Sequence, residues 1–185
     1  MSKLEKDLNE IRAGFASGNA MMLRELGNKY ISKAALENDS LLAELSVMAY
    51  FLHKMLSKHH IVQSHNWTNI RKSILESIEL AIKDAKDGSD KAIVSEMKQV
   101  IQHLENIDSD LGHFVDGLYH KARVKQASSA YALGLSLKQS AQLTGTNLRS
   151  VQLYVGKTKI HDEEDQGASI RQRLDKLKKS LEESV

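Results

Sequence analysis

Apolar positions recur at three- and four-residue intervals along almost the whole chain, and nowhere do they alternate with period two over a strand's length. Leu4, Leu8, Ile11 and Phe15 form a first stripe, closed by Gly14 and Gly18; Leu23, Leu26, Tyr30 and Ala34 form a second. A third helix, Leu41 to about Lys58, is capped by Asp39 or Ser40. Its stripe (Leu41, Leu42, Leu45, Met48, Ala49, Leu52, Met55, Leu56) is wide, which marks the central, most buried helix. His59 and His60 fall at its frayed end, where the helix dipole favours imidazolium. A fourth helix uses Ile70, Ile74, Ile78, Ala81 and Ala85, with Trp67 as a core anchor at its start and Gly88 near its end. The fifth opens at Ser89 or Asp90 with Ile93, Met97, Val100, Ile101 and Leu104 inward; the sixth begins near Asp110 with Leu111, Phe114, Leu118 and Ala122. Short connections between such helices predict antiparallel neighbours. The expected fold is all-α: an N-terminal antiparallel helical bundle over residues 1–122, a small three-helix unit over 123–160, then an acidic linker and a C-terminal amphipathic helix over 161–185.

Composition narrows the chemistry. The 185 residues are 41% apolar and 27% charged, enough to bury a core and too apolar for wholesale disorder. There is no cysteine, which removes disulfides, thiolate-ligated metals and thiol nucleophiles, and no proline to interrupt long helices. The chain starts charged and amphipathic at Ser2 to Asp7, and its most apolar stretch, Leu41 to Leu52, is too short to span a bilayer and contains Glu44. The expectation is a cytoplasmic protein with no membrane contact. Net charge is only +2, but it is unevenly placed. Met1–Val124 holds 16 basic and 17 acidic residues, and Asp162–Val185 holds five basic and seven acidic. Between them, Lys125–His161 carries Lys125, Lys138, Arg149, Lys157 and Lys159 and no acid at all. Lys121 and Arg123 extend that window back towards Asp116, the last acid before it. Local positive charge of this kind is the electrostatic footprint of a nucleic-acid contact.

The same window has the most specific local pattern in the chain. Ala127, Ala130, Tyr131 and Leu133 share a helical face that Gly134 ends. Ser136 and Gln139 have capping-box spacing and open a second, short helix that stops at Thr144-Gly145. Asn147 then caps a third helix, Leu148 to Val155, which Gly156 is expected to end. Ala141, four residues before Gly145, is small enough for two helices to cross closely. Val151, six residues after it, faces back into the core, with Leu148, Tyr154 and Val155 as further candidates. A short turn containing glycine between two such helices is the helix-turn-helix pattern.

Ala141-Gln142-Leu143-Thr144-Gly145-Thr146-Asn147, followed by Arg149, Ser150, Val151 and Tyr154, resembles the helix-turn-helix of bacterial and archaeal DNA-binding regulators. The resemblance covers residues 130–156 only. The remainder is similar to small archaeal DNA-binding proteins without matching a named family. Thr146 stands where the pattern usually has an apolar residue, and Asn147 where it has serine. The resemblance implies a recognition helix in the major groove of double-stranded DNA, with Val151 and Tyr154 inward and Asn147, Arg149, Ser150 and Gln152 towards base edges. Arg149 suits a guanine and Gln152 an adenine, while Lys138, Lys157 and Lys159 suit phosphates. A transcriptional regulator follows, working as a homodimer on half-sites about 10 bp apart or a multiple of that.

Two other readings stay open: a helical adaptor whose terminal unit docks a protein, and a nucleoid-type protein binding DNA without sequence preference. Histidines 53, 59, 60, 65, 103, 113 and 120 cluster in the middle of the chain, inviting metal or pH sensing, yet no HExxH spacing occurs. Ile170, Leu174, Leu177 and Leu181 form an a/d seam of barely two heptads, which either docks on the bundle or pairs in a dimer. No Gly-rich phosphate loop, nucleophile elbow or apolar carboxylate pair is present, so neither an enzyme nor a cofactor is expected.

Overall fold

The structure, a computed structural model, describes residues 3–86, 109–161 and 175. The expected fifth helix, the acidic linker and the C-terminal seam lie outside the described residues. Those described form eight helices and no strand: α1 Lys3–Ala16, α2 Ala20–Glu37, α3 Ser40–Leu56, α4 His59–Val62, α5 Trp67–Lys86, α6 Ser109–Ala132, α7 Leu137–Leu143 and α8 Leu148–His161. The protein is all-α. Among the described residues no helix is long and apolar enough to cross a membrane, and no three of His, Asp and Glu are placed to hold a metal ion. The helices fall into two compact units, Met1–Gly27 with Met48–Tyr119, and Asn28–Val47 with His120–Val185.

In the first unit the α1 stripe is realised, with Leu8, Ile11 and Phe15 wholly buried. α1 packs on α5, whose Ile70, Ile74, Ile78, Ala81 and Ala85 are all buried. Arg12 pairs with Glu79 across the two helices, and Arg71 donates to the carbonyl of Ala16, filling an orphan acceptor at the end of α1. The Trp67 and Phe15 rings meet edge to face, centroids 6.2 Å apart. The chain turns at Ser17-Gly18, and Asn19 caps α2 by accepting from the Met22 amide at 3.0 Å. The C-terminal half of α3 adds Met48, Ala49, Phe51, Leu52 and Met55 to the core.

His59 and His60 are not at the end of α3. That helix stops at Leu56, Lys58 is extended (φ −104°, ψ 102°), and the two histidines open the separate single turn α4. Burial of Ile61 accounts for the break, since it returns the chain to the core one turn later while both histidines stay exposed.

Among the described residues of this unit, His53 is a histidine whose titration is shifted by folding. Its Nδ1 lies 2.8 Å from the Ala20 carbonyl, its ring 5.5 Å from that of Tyr50. Burial pushes its pKa down, opposed by the Ala20 hydrogen bond and assisted by Lys54 and Arg24. A histidine depressed on folding binds its proton more readily when unfolded, so the unfolded state gains as pH falls below the usual value of about 6.5. Stability is therefore expected to be full above that pH and to decline on acidification towards the lowered folded pKa. His53→Gln, which keeps a donor for Ala20, is expected to flatten the decline in urea unfolding between pH 7.5 and 5; an unchanged slope assigns the effect elsewhere.

In the second unit, Tyr30, Ile31 and Ala34 of α2 and Leu42, Ala43, Leu45 and Val47 of α3 are buried. Asp39 caps α3 by accepting from the amides of Leu41 and Leu42 at 2.8 and 3.1 Å. α6 runs unbroken through Ala122, where the acids vanish from the sequence, and contributes buried Ala122, Val124, Ala127 and Ala130.

Candidate nucleic-acid interface

The end of α6, α7 and α8 are built by local signals that follow one another closely. At Gly145 (φ +64°) only glycine is unstrained, and the turn around it closes α7 twice: the Gly145 amide donates to Gln142 O at 3.2 Å and Thr146 to Ala141 O at 2.9 Å. Two residues later Asn147 Oδ1 accepts from the Ser150 amide at 2.7 Å and caps α8. The start of α7 carries a complete capping box, Gln139 N donating to Ser136 Oγ and Ser136 N to Gln139 Oε1, at 3.2 and 3.0 Å. Ala127, Ala141, Val151 and Val155 close a small core, flanked by half-buried Tyr131 and Leu137. Small alanines on α6 and α7 are what let the α8 valines approach.

Thr146 shows the consequence of its departure from the apolar pattern. Its Oγ1 is buried without a hydrogen-bond partner among the described residues. An unpaired buried hydroxyl costs roughly 1–3 kcal/mol in lost hydration. Thr146→Val keeps the branched shape, and is expected to raise thermal stability by roughly 1 kcal/mol, a Tm increase of about 2–4 °C for a chain of this size. An unchanged or lower Tm in calorimetry would mean that water reaches the hydroxyl.

Three details differ from the sequence expectation. Gly156 does not end the last helix, which continues to His161, because no left-handed turn follows and no proline stops it. Leu148 is 39% exposed instead of joining the core, which is made by Val151 and Val155 further along α8. Arg123, counted with the basic window, is directed inward. Its Nη1 donates to Gly145 O and its Nη2 to Glu44 Oε1, both at 3.0 Å. The window is free of acids in sequence but not in space, since α3 delivers Glu44 to its turn. The sequence signal was Glu44 itself, a lone carboxylate in an apolar helix that needs a buried partner.

The base-reading candidates are placed as follows. Arg149 and Gln152 are exposed on α8. Asn147 is exposed too, but its carboxamide oxygen is committed to the cap. Ser150 sits half-buried on the flank of the helix, its Oγ 3.5 Å from His120 Nε2 of α6. Lys138 on α7 and Lys157 on α8 are exposed; the Lys159 side chain lies outside the described residues. Lys121 on α6 is also exposed. Two features were absent from the expectation: the exposed His120 beside Ser150, and Leu153, 57% exposed next to Gln152.

No protein-family model, no curated protein and no solved structure matches the chain.

Proposed function

We propose that this chain binds double-stranded DNA sequence-specifically, with α7 and α8 as a helix-turn-helix and α8 as the helix that enters the major groove, and that it serves as a transcriptional regulator. One observation carries the reading: α8 is capped and held by its valines while Arg149, Gln152 and Lys157 point to solvent from a segment without acids. Burying the opposite face fixes which side chains meet a groove, and the first turn carries the residue best suited to guanine. Lys138 adds a phosphate contact from α7. A homodimer would double the footprint.

The test is affinity for duplex DNA as a function of salt. A protein neutralising Z phosphates gives a logarithmic slope of about −0.9Z. Lys121, Lys138 and Lys157 set the expectation at about −3 per protomer, together with preference for a sequence selected from a random pool. A steep slope with equal affinity for every sequence would support the nucleoid-type reading. No retention at low salt would leave the protein-docking adaptor.

A further inference from the structure

The outward line of α8 holds two residues that the protein's own packing does not explain. With Val151 and Val155 inward, a helical repeat of about 100° per residue places Leu153 directly opposite the core, with Arg149 about 40° and Gly156 about 60° to one side of it. Leu153 is 57% exposed at the centre of that line. Gly156, one turn on, is inside an uninterrupted helix, where glycine is less favourable than alanine, and its φ is not in the left-handed region. A Cβ built there meets nothing within 4 Å. Among the described residues, neither a turn nor a close helix crossing requires glycine at this position.

Both oddities fit one occupant. The line is bordered by Lys157 on α8, with Arg149 at its start, a charge pattern complementary to a polyanion. Within a major groove the thymine 5-methyl is the apolar group that a leucine can meet, and a helix face without a Cβ lets the backbone sink closer to the groove floor. Resting on the DNA-binding reading, we propose that Leu153 is a specificity-determining residue selecting thymine by its 5-methyl group, and that Gly156 supplies the close approach that brings it there. Leu153 lies about 6 Å along the helix from Arg149, one to two base steps of about 3.4 Å, so the selected thymine falls within about two base pairs of the one that Arg149 reads.

The experiment uses the full chain and a duplex enriched from a pool with a randomised core. The enriched duplex is then remade with deoxyuridine, which lacks the methyl, at each thymine in turn. Wild type is expected to lose roughly fourfold at one position, the worth of one buried methyl. Leu153→Ala is expected to bind the thymine and uracil duplexes equally. Gly156→Ala is expected to raise Tm by roughly 2–4 °C while weakening duplex binding at least about tenfold, a combination that no loss of folding can produce. An unchanged thymine preference in Leu153→Ala overturns the assignment while leaving DNA binding intact. So does a result in which both substitutions alter only self-association, which would make the line a contact between two copies of the chain. Failure of the wild type to enrich any duplex removes the sequence-specific reading, and this inference with it.

Discussion

Arg123→Ala is expected to destabilise the protein by roughly 3 kcal/mol, lowering Tm by about 6–12 °C. The side chains of Arg123 and Glu44 retain only 21% and 11% of their accessible surface, so removing the guanidinium takes a charge partner from a carboxylate largely shielded from water. The same guanidinium holds the Gly145 carbonyl, which lies in the turn that joins α7 to α8. Arg123→Lys is expected to recover only part of the loss, because one ammonium lacks the planar fork that spans the two acceptors. Replacing both partners by leucine should recover most of it, since a buried pair is worth little against apolar side chains of similar size. A double-mutant cycle in urea separates the pair's coupling from lost packing. A loss below about 0.5 kcal/mol for Arg123→Ala, within the range of exposed pairs, would show that Glu44 reaches water.

The turn adds a geometric constraint to this ion pair. A Cβ at residue 145 would stand 3.2 Å from Arg123 Nη1, and φ there is +64°. Gly145 thus satisfies two demands at once: the left-handed turn that ends α7 and the approach of the arginine to its carbonyl. Any side chain at 145 strains the first and crowds the second. The position of α8 therefore depends on α3 through a chain of three groups, Glu44, Arg123 and Gly145.

Most of the helical framework was legible in the sequence because its causes are local. Apolar spacing of three and four located the buried faces of α1, α2, α3 and α5, and Asp39, Ser136 and Asn147 cap where their side-chain chemistry suggested. What was not legible is tertiary or end-dependent. Glu44 and Arg123 lie 79 positions apart, and nothing in either neighbourhood names the other. Gly156 looked like a stop signal, yet glycine ends a helix in this way only when it takes the left-handed conformation itself, which Gly156 does not. Leu148 had the spacing of a core residue but lies one turn outside a core made by Val151 and Val155. In the candidate interface the charge asymmetry survived translation into three dimensions only in part, since Arg123 was turned inward while Lys138, Arg149 and Lys157 remained at the surface.

Arg149→Ala should reveal whether α8 reads sequence or merely attracts DNA. A bidentate arginine on a guanine edge is worth about 1–3 kcal/mol of discrimination, so the selected duplex is expected to bind roughly 5- to 150-fold more weakly. Affinity for random duplex should fall far less, and the salt slope should change by less than about one unit, because a base contact releases no phosphate counterion. Lys157→Ala is the counterpart: weaker binding to every sequence alike, with a slope shallower by about one unit. Both residues are exposed, and neither belongs to the Ala127–Ala141–Val151–Val155 core, so folding is expected to survive both changes. If Arg149→Ala weakens selected and random duplexes equally, Arg149 holds a phosphate and the reading residues must be sought at Gln152 and Leu153. If neither substitution alters binding, α8 is not the element that meets DNA.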